Sequence, residues 1–226
     1  PQSTNDHWRP VAELRILLLG VPRLEVDGVP CHLTLRKSVA LLAYLALNPG
    51  EHSREYLGTL LWPEVPAARA LHYVRNALWQ LNRTPLAHFI AADRQVIGLR
   101  VDSAETRPMN PGVGDHSLTI DARHLCNALE ANDAHGHLGT ETCVACVDPL
   151  ERAVAAWRGD FLQGFSLRDS LAFDEWQAQQ AQLLRSAVTQ ALAILAHWYG
   201  EARDIDEAIA YARRWIELEP LHEPAH

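Results

Sequence analysis

The chain has 226 residues, 48% of them hydrophobic, and a formal net charge of −8 at pH 7, which gives room for about two domains of roughly 100–150 residues. No run of about 18 apolar residues is present to cross a bilayer, and the opening Pro-Gln-Ser-Thr-Asn-Asp-His-Trp-Arg-Pro lacks the basic start and apolar core of a signal peptide. Four cysteines without such a segment predict a reducing cytoplasm and argue against a disulfide scaffold.

The first hundred residues alternate quickly between element types. Leu14–Leu19 reads as a strand stopped by Gly20, and Arg23–Val26 as a second that meets the hairpin signal Asp27-Gly28. Val29–Leu33 returns as a third. Thr34 is expected to cap a helix over Leu35–Leu47, ended by Asn48-Pro49-Gly50. Ser53 caps a second helix over Arg54–Trp62, with Pro63 as its stop, and a third runs from Pro66 to Arg83 before Thr84-Pro85. Phe89–Ala92, the turn Asp93-Arg94-Gln95 and Val96–Leu99 then read as a β-hairpin. Three strands, three helices and a hairpin predict an α+β winged helix with an extra N-terminal β-sheet over residues 12–101. An unrelated small α+β domain has the same order.

Residues 102–120 read as a linker loop, with Pro108–Asp115 the most irregular part. Residues 121–226 predict an all-α domain with helices near 122–131, 149–158, 171–199 and 205–218, broken by Gly159-Asp160 and Gly164. Ala208, Ala212, Leu218 and Pro220 have the spacing of a tetratricopeptide second helix, and Leu192–Gly200 fits a first. One such repeat cannot bury its own face, so it is expected to stack on 171–199 and on whatever follows. The absence of an opening Met and the ending Pro-Leu-His-Glu-Pro-Ala-His predict a piece of a longer protein, with a C-terminal remainder of the parent as a neighbour. Trp157, Phe161, Phe165 and Trp176 read as core.

Charge divides unevenly. Residues 1–100 carry 11 Arg/Lys against 8 Asp/Glu, net +3, and residues 101–226 carry 9 against 20, net −11. A basic half facing DNA and an acidic half doing something else fit one chain. On a helical wheel of about 100° per residue, Ala70, Leu71, Val74, Ala77, Leu78 and Leu81 share one side. Arg69, His72, Asn76, Gln80 and Arg83 gather opposite, with Arg75 on the flank and no carboxylate among them. Arg matches guanine O6/N7, and Asn or Gln matches adenine N6/N7. A merely solvated helix face ordinarily mixes both signs of charge. These residues, with Arg94 at the hairpin tip for phosphate or the minor groove, are the expected contacts to double-stranded DNA.

His135, His137, Cys143 and Cys146 offer two imidazoles and two thiolates, the donor set of a tetrahedral zinc site. Four unrelated surface residues are the plainer reading, and His124 or Cys126 can replace one ligand. No cofactor is required by the DNA-binding reading, and structural zinc is the one metal expected. The Cys-x-x-Cys pair lacks the strand-to-helix setting of a thioredoxin-like site. A zinc nucleobase deaminase needs His-x-Glu and Pro-Cys-x-x-Cys, and neither occurs. Phosphate loops and nucleophile elbows are also missing, so the chain does not read as an enzyme.

The stretch Leu33-Thr34-Leu35-Arg36-Lys37, Leu41-Leu42-Ala43-Tyr44-Leu45, Asn48-Pro49-Gly50, Ser53-Arg54-Glu55 and Leu61-Trp62 resembles the winged helix of OmpR-type response regulators. More closely, it resembles the Streptomyces antibiotic regulatory protein (SARP) type of activator, whose winged helix precedes a bacterial transcriptional activator domain. Leu150-Glu151-Arg152-Ala153-Val154, Trp157-Arg158-Gly159-Asp160-Phe161-Leu162, Gly164-Phe165, Phe173, Glu175-Trp176 and Tyr211-Ala212-Arg213-Arg214 are similar to that second domain. The resemblance implies promoter binding as a pair and RNA polymerase recruitment; the helical half reads as a surface for protein contact or a homodimer, and no membrane partner is expected. Two other readings stay open: a protein-interaction scaffold with a degenerate winged helix, and a zinc- or redox-responsive regulator.

Overall fold

The computed structural model describes residues 13–100 and 117–219. They form two units. One comprises the chain up to Ile16 together with Arg23–Thr119, the other Leu17–Pro22 together with the chain from Ile120 onward.

In the first unit, strands β1 (Glu13–Leu17), β2 (Arg23–Val26), β3 (Val29–Cys31) and β7 (Ser117–Ile120) make one sheet in the order β3-β2-β1-β7. Leu17 and Ile120, the end residues of β1 and β7, already belong to the second unit. Leu14, Ile16 and Leu24 are buried while Glu13, Arg15 and Arg23 are exposed, the period of two expected of a half-buried strand. Asp27 and Gly28 both take positive φ, as a two-residue hairpin turn requires. β7 corrects the expectation that 102–120 is loop throughout, because Ser117–Ile120 pairs with the sheet.

Helices α1 (Arg36–Leu47), α2 (Arg54–Leu61) and α3 (Ala67–Leu81) follow, then a 3-10 turn at Pro85–His88 and the hairpin β5 (Ile90–Ala92) and β6 (Val96–Leu99). A short strand β4 (Glu51–Ser53) completes a second sheet in the order β4-β6-β5, with Glu51 opposite Gly98. β4 escapes a sequence reading because three polar residues carry no alternation. Ser53 caps α2, its Oγ accepting from the Tyr56 amide at 3.1 Å. Thr34 does not cap α1. Leu35 occupies that position and no side chain caps it. α3 stops at Leu81 rather than Arg83, where Thr84 Oγ1 donates to the Leu81 carbonyl at 2.7 Å. Leu41, Leu45, Leu57, Leu61, Val74, Leu81 and Ile97 are each fully buried and hold the three helices against the hairpin. This is a winged helix with an added N-terminal sheet.

The second unit is helical: α4 (Asp121–Ala134), α5 (Val144–Ala155), α6 (Leu171–Glu201) and α7 (Ile205–Leu218). α5 begins five residues before the expected 149, because Pro149 sits inside it rather than opening it. α6 and α7 form a tetratricopeptide-like helical hairpin across Ala202–Asp204, and Asp204 caps α7. Glu151 of α5 accepts from both Tyr199 and Tyr211 hydroxyls, whose rings stack at 5.6 Å. Phe161, Phe173 and Trp176 make an aromatic cluster with ring centroids 5.3–5.8 Å apart.

The segment Leu17–Pro22 is held by this helical unit. Leu19 bridges Phe161, the Leu162 amide donates to the Leu18 carbonyl at 2.9 Å, and the Gly20 amide donates to the Asp160 carbonyl at 2.9 Å. Asp121 takes the Leu18 and Leu19 amides at 2.7 and 3.0 Å and its own helix's Ala122 amide at 2.8 Å. Arg158 stands 3.5 Å from it. The Asp121 carboxyl is 2% exposed. Burial draws its pKa upward, and the amide donors and Arg158 pull against that.

Candidate functional sites

Helix α3 has a face for solvent and a face for the core. Ala70, Val74, Ala77, Leu78 and Leu81 are buried, Leu71 is half-buried, and Arg69, His72, Arg75 and Asn76 are exposed. Among the described residues no carboxylate pairs with Arg69, Arg75, Arg83 or Arg94. The Asn76 amide donates to His72 Nε2 at 3.2 Å. That bond uses one of its two N–H groups and leaves the other N–H and the carbonyl oxygen, the pair a bidentate adenine contact requires.

Two expected positions differ. Gln80 is half-buried and its Oε1 accepts from the buried Ser38 hydroxyl at 3.3 Å, so it ties α3 to α1 instead of standing clear of the helix. Arg83 lies beyond the helix end, with its guanidinium 4.6 Å over the Trp79 ring. Trp79 is 58% exposed and was missed by the wheel reading, although it stands four residues after Arg75 and four before Arg83, within the polar stripe. Its large exposed ring gives that stripe an apolar centre.

Arg94 is exposed at the tip of the β5–β6 hairpin. The turn beneath it is fixed from two sides. Asp93 Oδ1 accepts from the Gln95 and Val96 amides at 2.6 and 2.7 Å, and these amides hold the Asp93 carboxyl below its ordinary range. Arg54, the first residue of α2, donates its side chain to the Asp93 carbonyl and its amide to the Gln95 carbonyl. Lys37 is spent within the fold, donating to the Leu61 carbonyl and lying 5.4 Å over the Trp62 ring.

In the helical unit, His135, His137, Cys143 and Cys146 come together with their ligand atoms all within 4.8 Å of one another. His135 is the C-cap of α4, Cys143 the N-cap of α5, and Cys146 lies in its first turn. The His135 imidazole, then that of His137, draws the Cys143 thiol down to about 6, while burial and its neighbour Cys143 push Cys146 upward. Cys126 and His124 stand outside this group.

Residues 124–226 match the family model described as the bacterial transcriptional activator domain. None of the curated proteins matches in sequence. Among solved structures, the fold is similar to that of Mycobacterium tuberculosis EmbR in complex with a low-affinity phosphopeptide, with a TM-score of 0.62 and 22% identity over 96% of this chain. That alignment spans 53% of the EmbR chain. Among the described residues no helix is long and apolar enough to cross a membrane.

Proposed function

Because this chain carries a bacterial transcriptional activator domain behind a winged helix, the domain order of the SARP-type activators, we propose that it binds double-stranded DNA sequence-specifically through α3 and the β5–β6 hairpin. The observation that carries this reading is the exposed α3 face of Arg69, His72, Arg75 and Asn76, from which carboxylates are absent. A DNA major groove admits one helix and presents acceptors to Arg and a donor–acceptor pair to Asn. Arg94, held on a braced turn, supplies a cation to phosphate or to the minor groove. Arg83, clamped on Trp79, extends the basic stripe past the helix end.

The helical domain takes the activating role, through contact with RNA polymerase or with a second copy. Ile205 and Ile209, apolar and exposed on α7, suit such a contact or the docking of further chain.

The test is selection of bound duplexes from random or genomic DNA, followed by gel-shift titration with the wild-type chain and the variants Arg75→Ala and Asn76→Ala. An enriched site is expected, and each variant should lose about 1–3 kcal/mol of discrimination at particular base pairs. If no duplex is enriched while a protein partner binds α3, the winged helix is an interaction scaffold and the DNA reading fails.

A further inference from the structure

The loop joining α4 to α5, His-Gly-His-Leu-Gly-Thr-Glu-Thr over residues 135–142, has almost nothing with which to build a core. Its one large apolar side chain, Leu138, is 76% exposed. Yet the loop is tightly organised. The buried Asn132 of α4 donates to the Glu141 carbonyl at 3.3 Å and accepts from the Thr142 hydroxyl at 2.7 Å. The Leu138 amide donates to the Glu141 carboxylate at 3.2 Å, and the Glu141 amide returns to the Leu138 carbonyl at 3.0 Å. These bonds aim both ends of the loop at one point.

At that point lie the four side chains. The two sulfurs are 3.7 Å apart, and His135 Nδ1 is 3.6 Å from Cys143 Sγ and 3.1 Å from Cys146 Sγ. A tetrahedral zinc with bonds of about 2.3 Å to sulfur and 2.0–2.1 Å to nitrogen sets sulfur–sulfur edges near 3.8 Å and sulfur–nitrogen edges near 3.5 Å. The sulfur–sulfur edge and the His135–Cys143 edge match that figure to about 0.1 Å, and the His135–Cys146 edge is about 0.4 Å shorter. A disulfide does not fit, since its sulfurs stand about 2.05 Å apart. The His137 ring is 5.9 Å from that of His135, and its Nε2 is buried without a hydrogen-bond partner. A buried polar atom left in that state is costly, and a metal ion in the cluster relieves it.

We infer that His135, His137, Cys143 and Cys146 bind one Zn2+ in a closed tetrahedral site that locks the α4–α5 joint. Two thiolates neutralise the ion, and the N-terminus of α5 adds its positive dipole to their stabilisation. Four protein ligands leave no open position for a reacting water, so the role is structural. Asn132, Glu141 and Thr142 shape the loop that carries the ligands, the supporting layer on which metal sites depend.

The test uses the full 226-residue chain, purified without chelator, with Zn2+ and Co2+ as probes. About one zinc per chain is expected, held with Kd tighter than about 1 μM. Replacement by Co2+ should give a thiolate-to-metal charge-transfer band and the intense visible bands of a tetrahedral site. Cys143→Ser and His137→Ala should each weaken zinc by at least about 100-fold, while Cys31→Ser and Cys126→Ser leave it unchanged. Because a ligand variant can fail by unfolding, the Co2+ spectrum of the wild-type chain stands as an independent decision. The inference is overturned by a chain that takes up neither ion at micromolar concentration, or by a cobalt form without thiolate charge transfer. Equal loss of zinc in the Cys126→Ser control overturns it too, as does a Cys143–Cys146 disulfide whose formation Zn2+ leaves unaffected.

Discussion

Single side chains explain several positions that pattern alone presents as ordinary. Asp121 satisfies the amides of two residues a hundred positions earlier in the chain. Asp121→Ala leaves those amides buried without a partner, and at about 1–3 kcal/mol for each lost acceptor we expect a loss of about 2–6 kcal/mol, measured by urea unfolding. Glu151 organises the two stacked tyrosines. Desolvation, then the Glu151 charge, pushes Tyr211 up to about 12, and hydrogen bonding to Glu151 raises Tyr199 as well. A raised tyrosine adds stability that is complete below its unfolded pKa of about 10 and is lost as pH climbs through the folded value. Melting temperature should therefore fall between about pH 10 and pH 12, and the double variant Tyr199→Phe/Tyr211→Phe should flatten that decline. Asn76 and its His72 partner were legible from the wheel. Gln80 was not, since a polar residue at the edge of an amphipathic stripe can turn inward whenever the facing helix offers a hydroxyl, and Ser38 does.

At the level of elements, the strong signals were those with a physical stop or start. Ser53 before α2, Asp27-Gly28 between β2 and β3, and the amphipathic run of α3 were all readable, whereas β4 and β7 were not, because three or four residues gain strand structure only from a partner distant in sequence. Ser53→Ala should cost about 1 kcal/mol by thermal unfolding. The hairpin tip offers a sharper prediction. Arg54 has its side chain on the Asp93 carbonyl, so Arg54→Ala loosens the turn that carries Arg94 without removing a cation from the tip itself. We expect weaker binding on every duplex alike, with base preference kept, whereas Asn76→Ala should alter preference. Comparing both variants on matched and mutated sites separates the effects. The Trp157–Phe165 motif also gains a reason. Gly159 adopts a φ of +151°, open to few side chains, and the residues after it, Asp160 to Gln163, receive the segment Leu18–Gly20.

For the molecule as a whole, the net charge of −8 misleads unless it is divided between halves. If Arg69, Arg83 and Arg94 each neutralise one phosphate, log K should fall against log salt with a slope of about −2.7. A slope near zero would show that the basic stripe does not meet the duplex. The fold class and the gathering of His135, His137, Cys143 and Cys146 could be read from residue order. The partition of the chain could not: a boundary in the loop near 102–120 was the natural expectation, yet Leu17–Pro22 is grouped with the helices. Backbone pairing between residues 18–20 and 160–163 leaves no mark on composition or periodicity.

That early segment makes the helical half a split protein in its natural state. A fragment beginning at Ile120 would emerge with an empty slot along 160–163 and a carboxylate at Asp121 waiting for donors. Such a fragment should be unstable alone and should be rescued in trans by a synthetic peptide covering Leu17–Pro22, with a melting temperature that rises with peptide dose. The same slot accepts a fluorescent or cross-linking version of that peptide, so the helical unit gains a handle for labelling the protein from outside.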